Sequence, residues 1–522
     1  MYFFIFTTRR AYYKWHTTKK SVKILYIAMG TLIIALMALS LSQEEKDKVK
    51  DIDAIEETPE AMRRKIKEMM LHAWRNYARL TWGTNEYRPI TQSDNFDSEF
   101  GHHKLGATII ESMDTLFVMG LDKELNQSRE WIQESFTLDN VDQALSIFEL
   151  TSRMLGPMLA MYALTGDELY RDKAIHIADK ILPAFQTPTG IPKRFVVPND
   201  DHFRKRSLPD VARTAEFGAL HLEFFYLSEI TGNPVYKNVV DGIRRLLADV
   251  NKPNGLYPDS FCTKYGRWET SRCSINRFHD YLLKSWMQSG WNDSETLEVF
   301  KDAMLAVVQN MVEITTEDVI YMPEVVDGAR TDRMKQSDCF AAGLFAQGAE
   351  QTLMKHWAKY AQIGIGIGDT CHDLYRQSPT GLGPEEMGFS EESREEIVSL
   401  QRTFYALRPE IVESYLKLWR LSRDKKYREW GRELVLALEK YCRTPYGYAG
   451  IQDVYNESSG SDDVQRTYFL GATLKYLFLL FSEDEVFPLQ EWVFNSAGHV
   501  LPIKGVNPKY RLYNSTEEEN KG

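Results

Sequence analysis

Acidic residues stand in apolar helical surroundings at four places: Glu149 in Ile147-Phe148-Glu149-Leu150, Glu410 and Glu413 behind Leu407-Arg408-Pro409, Glu216 and Glu223 around Phe217, and Glu385 after Leu382-Gly383-Pro384. A carboxylate withdrawn from water needs a cation, a proton or a metal to offset its desolvation. Each of these acids is therefore either half of a structural ion pair or a functional group. Arg153 follows Glu149 at i+4, and Arg408 stands two before Glu410, so both acids have a cation at hand. Several such acids facing one cleft could hydrolyse a glycosidic bond, which takes two carboxyls working across the scissile oxygen. Spacing along the chain does not bring them together; the fold must.

The positioning elements read as helices. The runs 155–164, 217–230 and 411–421 each lead into a polar turn ending in tyrosine, at Tyr170, Tyr236 and Tyr427, and a second helical run follows. Leu220, Phe224 and Leu227, then Val239, Ile243, Leu246 and Leu247, keep helical spacing on either side of one such turn, which defines an αα-hairpin. Strand-like alternation is scarce. Repeated hairpins build a solenoid, a bundle or a closed α/α toroid, and the Gly- and Pro-rich loops favour a toroid with a loop-built site. The expected fold class is all-α.

The chain has 522 residues, 43% of them hydrophobic and 12% aromatic, enough for a large core. A net charge of -11 disfavours a nucleic-acid partner and is compatible with a neutral one such as a sugar. Residues 24–41 are mostly apolar and uncharged, near the lower limit for spanning a bilayer. Arg9, Arg10, Lys14, Lys19, Lys20 and Lys23 precede them and Glu44, Glu45 and Asp47 follow, which predicts a cytosolic N-terminus and a lumenal body. A signal peptide cleaved near Ala38-Leu39-Ser40 is the alternative; the long basic leader favours an uncleaved anchor. The expected divisions are a cytosolic tail at 1–23, a signal-anchor transmembrane helix at 24–41, a stem at 42–60, one domain at 61–504 and a tail at 505–522. Sequons at Asn126, Asn292, Asn456 and Asn514 agree with export. The five cysteines show no zinc spacing, and an oxidising lumen favours bridges among some of them, with at least one left over.

A series of blocks in order carries a resemblance over 61–504. It begins with His72-Ala73-Trp74, Trp82-Gly83 and Asp114-Thr115-Leu116-Phe117, and runs on through Phe148-Glu149, Ala215-Glu216-Phe217-Gly218 and Tyr281-Leu282-Leu283-Lys284. Cys339-Phe340, Thr370-Cys371-His372, Leu407-Arg408-Pro409-Glu410, Thr473-Leu474-Lys475-Tyr476 and Phe494-Asn495 complete it. The sequence resembles the class I α-1,2-mannosidases, glycoside hydrolase family 47. The resemblance implies an (α/α)7 barrel that binds calcium at its base and removes α-1,2-linked mannose from high-mannose N-linked oligosaccharides with inversion. By the same match Glu149 resembles the family's general acid and Glu410 its base, with Glu385 a further acid candidate. Arg153, Glu216, Arg408 and Glu413 fall on the glycan cleft and its floor. Cys339 and Cys371 match the family's disulfide, which leaves Cys262 and Cys273 for a local bridge and Cys442 as a free thiol.

The sequence departs from the family's pattern at four positions. Asn276 stands where the family has a catalytic aspartate, and an amide cannot act as a carboxylate base. Gln336 replaces a cleft histidine. Ala472 and Ala497 replace two glutamates at the calcium end, whereas Ser496 retains the hydroxyl and carbonyl through which the family's threonine holds the ion. Weakened or absent calcium binding is expected. The leading reading is a mannosyl-oligosaccharide 1,2-α-mannosidase; the alternative is a catalytically impaired glycan-binding or quality-control protein on the same fold. Ser274, where endoplasmic-reticulum members carry arginine, places the resemblance nearer the Golgi subgroup, as a single-pass type II membrane protein with a lumenal body; the endoplasmic reticulum is the alternative address.

Overall fold

The computed structural model describes residues 58–199, 209–315, 319–352, 357–389, 397–399 and 402–513. The expected tail, the anchor at 24–41, nearly all of the stem and the sequon at Asn514 lie outside them. Among the described residues no helix is long and apolar enough to cross a membrane.

Helix α1 (Pro59–Leu80) opens the body, with Thr58 accepting from the Ala61 N–H and proline at the first helical position, where its missing N–H costs nothing. There follow α2 (Ala107–Val118), α3 (Asp122–Ser135), α4 (Gly156–Thr165), α5 (Glu168–Ile181), α6 (His221–Thr231) and α7 (Pro234–Asp249). The second half comprises α8 (Arg277–Gln288), α9 (Ser294–Asn310), α10 (Phe340–Thr352), α11 (Trp357–Gln377), α12 (Glu410–Ser422), α13 (Lys426–Ala437) and α14 (Leu474–Leu480).

Six hairpins pack as α2/α3, α4/α5, α6/α7, α8/α9, α10/α11 and α12/α13, and a seventh pair joins the two ends of the domain, α14 against α1. Their inner members touch in succession, α2 to α4, α6, α8, α10, α12 and α14, and the π turn Phe469–Thr473 ahead of α14 closes the ring on α2. The described residues thus form the seven-fold ring of helix pairs that the resemblance implies. Inner and outer helices differ as burial requires: α8 is buried along its whole length except Arg277, whereas α7 buries only Tyr236, Val240, Ile243 and Leu247.

The wall is helical as expected, but the connections form short antiparallel ladders of two or three strands. One of them, Trp492–Phe494 against Val500–Pro502, is fully buried and packs on α4, α6 and α8, so it plugs the ring from one end. Residues assigned to a tail also pack: the Tyr513 N–H donates to the Glu229 carbonyl at 2.9 Å, and Arg511 and Lys509 donate to the Tyr162 and Leu164 carbonyls.

Cys339 and Cys371 are bridged, joining the start of α10 to α11. The expected Cys262–Cys273 bridge is absent; both are buried free thiols, as is Cys442. Cys262 lies in a ladder between Val211 and Arg267, whereas Cys273 pairs with Val325 and donates its thiol to the Ser271 carbonyl, so the two are held by different partners. Asn126, Asn292 and Asn456 are exposed.

Candidate active site

Ser146 accepts the Glu149 N–H and starts the short helix Ile147–Leu150, which widens into the π turn Thr151–Leu155. Arg153 in that turn donates to Glu149 Oε2 at 2.9 Å, to Glu111 Oε1 of α2 at 2.8 Å, and to the Thr467 hydroxyl. Glu149 keeps 20% of its side chain exposed, while Glu111 is wholly buried with one oxygen unpartnered. Burial pushes the Glu111 carboxyl up to about 7 against the pull of Arg153.

Leu407 takes the left-handed conformation at φ 60°, a costly one for a branched side chain, and its carbonyl is held by the Thr473 hydroxyl at 2.7 Å. That turn delivers Arg408 and then Glu410, the first residue of α12, where the helix dipole favours a carboxylate. Glu410 Oε2 is buried without a hydrogen-bond partner. Burial raises its pKa, opposed by the charges of Arg408 and Arg277. Arg408 does not spend itself on Glu410; it clamps both oxygens of Glu385 at 2.8 Å.

Tyr468 connects the two sides. Arg153 lies 5.9 Å from the centre of its ring and Arg408 5.8 Å, and its hydroxyl donates to the Ala406 carbonyl at 2.6 Å. The Glu149–Arg153 pair and the Arg408–Glu385–Glu410 group thus meet at one aromatic ring.

Other expected site residues have different occupations. Asn276 caps α8: its Oδ1 accepts from the Phe278 N–H at 3.0 Å and its Nδ2 donates to the Ser274 carbonyl at 3.1 Å, so both ends of the amide are engaged within its own turn. Glu216 is clamped by Arg194 at 2.7 and 2.6 Å. Gln336 donates to the Tyr375 hydroxyl at 2.6 Å, and its backbone N–H to the Glu385 carbonyl.

Glu413 is 1% exposed and lies under the cleft among cations: it accepts from Lys417 at 2.7 Å and Arg277 at 2.9 Å, with Lys284 at 3.4 Å. Asp280 faces the same three: Lys284 donates to it, Arg277 stands at 3.4 Å and Lys417 at 3.8 Å. Burial pushes Glu413 up, but the charges of Arg277, Lys417 and Lys284 outweigh it and hold the carboxyl well below the usual range.

Ser496 sits at the tip of the buried hairpin. The Tyr281 hydroxyl accepts from its N–H at 3.1 Å, lies 3.5 Å from its Oγ, and donates to Glu223 at 2.9 Å. Calcium takes six to eight oxygens. Glu223 beside this loop accepts from Tyr281 and Asn495 through Oε1 alone and leaves Oε2 buried without a hydrogen-bond partner. Ala472 and Ala497 offer no oxygen beyond their backbone, so beside Ser496 one orphaned acid oxygen stands against that number of ligands. Among the described residues the cluster of three ligand-type side chains converging as a metal site does is His102, His103 and Asp142, which are not part of the hairpin that carries Ser496. The residues present do not fit a calcium ion, and no step is derived through one.

Sequence reasoning missed Tyr468, Glu111, Arg194 and the cations beneath Glu413. One signal was available: Asp280–Lys284 and Glu413–Lys417 repeat the same acid-to-lysine i+4 spacing.

A closed ring of helix pairs, with buried carboxyls gathered on both sides of an arginine-flanked tyrosine, belongs with the toroidal glycoside hydrolases. Residues 69–503 match the family model of glycosyl hydrolase family 47. The chain is 48% identical over 465 residues to mannosyl-oligosaccharide alpha-1,2-mannosidase IA of Drosophila melanogaster, covering 88% of this chain and 70% of that protein. It is 42% identical over 447 residues to the human mannosyl-oligosaccharide 1,2-alpha-mannosidase IC, covering 85% and 71%. The alpha-1,2-mannosidase from Trichoderma reesei superposes with a TM-score of 0.78 at 22% identity, over 85% of this chain and 99% of that one, which supports the fold. The chain belongs to glycosyl hydrolase family 47.

Proposed function

We propose that this protein removes α-1,2-linked mannose from high-mannose N-linked oligosaccharides by hydrolysis with inversion. Glu149 in its acid form gives a proton to the leaving oxygen while Glu410 as carboxylate takes one from the attacking water, leaving the two proton states exchanged. The observation that carries the reading is Tyr468, against which the arginines of both acid groups rest. Arg153 orients Glu149 by their 2.9 Å bond, and the Glu385–Arg408 clamp fixes the opposite wall. Glu216, Arg408 and Glu413 shape the cleft and its floor. Asn276 takes no proton, because its amide cannot ionise and is engaged as a cap.

The reading extends to the address: residues 24–41 anchor the chain in the Golgi membrane and the body faces the lumen, supported by the basic leader and the three exposed sequons.

The test is incubation of the full chain with a high-mannose oligosaccharide, following released mannose by proton NMR. The β-anomer should appear first, and Glu149→Gln should lower kcat by about 10²- to 10⁴-fold with KM little changed. Binding of the glycan without release would transfer the protein to the glycan-binding reading.

A further inference from the structure

We infer that Arg277, Lys284 and Lys417 together stand in for a divalent cation beneath the cleft, so that this chain holds its catalytic floor without calcium. The three rise from two inner helices of the ring that flank α10, Arg277 and Lys284 on α8 and Lys417 on α12, and converge on Asp280 and Glu413. Their side chains are 13%, 2% and 2% exposed and those of the two acids no more than 1%, so the cluster is sealed from water that could exchange for its partners.

Charge decides the argument. Three cations face two buried carboxylates, and the charge of Arg277 also favours the ionised form of Glu410, against the burial that raises its pKa. A cluster balanced from within has no negative charge left to attract a doubly charged ion, and in a poorly polarisable interior the repulsion from three cations is screened far less than in water. Ala472 is 1% exposed, and a Cβ built on Gly498 would come within 3.1 Å of Ala472 and 3.3 Å of the Tyr476 ring, so a methyl group and an aromatic ring pack against Gly498, two residues past Ser496. Tyr476 packs beside Gly498, and the charges of Glu413, Arg277 and Asp280 act on its hydroxyl.

Lys284 lies in a block shared with the family, whereas Arg277 and Lys417 lie outside the blocks that carry the resemblance. Arg277 is thus a positioning residue: a planar, permanently charged group at the first residue of α8 that donates to Glu413, one turn into α12 from Glu410. A tethered cation of this kind is neither diluted nor chelated.

The inference rests on the family reading only for the identity of the ion replaced, and its test reads metal content and stability, which do not depend on whether mannose is released. The full chain, purified in detergent, is analysed for bound calcium and melted in excess calcium and in excess EGTA. Substoichiometric calcium and equal Tm in both are expected. Stoichiometric calcium, or a Tm lowered by more than about 2 °C in EGTA, overturns the inference, since a site filled far above its Kd must stabilise the fold by mass action. In the double variant Arg277→Gln, Lys417→Gln the Tm should fall and added calcium should recover part of it. A double variant with unchanged Tm and no calcium response also overturns it. If that variant does not fold, the comparison of calcium and EGTA on the parent chain decides alone.

Discussion

Glu111 shows how one residue can make stability depend on pH. Its folded carboxyl holds a proton up to about 7, whereas the unfolded chain releases it near 4.5. A raised acid pKa contributes stability that is complete below the unfolded value and is lost as pH rises through the folded one. The protein should therefore lose melting temperature as pH rises from about 4.5 to about 7, a window in which buried Glu223 and Asp338, also raised to about 7, act in the same direction, and Glu111→Gln should reduce that slope by its own share. Melts of both proteins at about four pH values across this window check it; an unchanged slope would assign the dependence elsewhere. The same residue explains why Arg153 is fixed so firmly: a guanidinium donating to Glu111, Glu149 and Thr467 leaves Glu149 a single orientation toward the cleft.

Among the elements, the hairpin that plugs the ring is pinned to the wall by a buried triad. Lys475 of α14 donates to Asp114 of α2 and to the Gly498 carbonyl, each at 2.7 Å, while the His499 ring meets Asp114 at 3.1 Å. All three side chains are wholly buried. Lys475→Met removes the ammonium partner of Asp114 and leaves it His499 alone, a ring whose charged form burial disfavours. The expected cost is about 3–5 kcal/mol, read from the urea midpoint at constant m-value. Element-scale order was partly legible in the sequence. Three hairpins announced themselves by a polar turn ending in tyrosine, but α8/α9 and α10/α11 have no such turn, and α14/α1 joins opposite ends of the chain, which local periodicity cannot reveal. The site followed the same rule. Glu149–Arg153 was readable as an i+4 pair, while the contact of Arg153 with Thr467 spans 314 positions and the Arg408 clamp passes over nearby Glu410 to reach Glu385. Asn276 looked like a lost base; what the sequence did not tell is that its amide works as a helix cap.

At the scale of the whole molecule, the Cys339–Cys371 bridge ties the start of α10 to α11 across 32 residues. Replacing both cysteines by alanine should cost about 2–4 kcal/mol, seen as a lower Tm, and reductant should shift the parent but not the variant. The ring itself carries a consequence for how the protein is made. Helix α1 is synthesised first and α14 last, yet the two pack together, and the π turn just before α14 is what meets α2. During synthesis the growing chain is an arc with its inner face uncovered, and the apolar stripe of α1, from Met62 to Tyr77, waits for nearly the entire domain before it is sheltered. Premature termination anywhere ahead of α14 therefore yields no smaller working unit, only an open arc that folding helpers must hold or proteases remove.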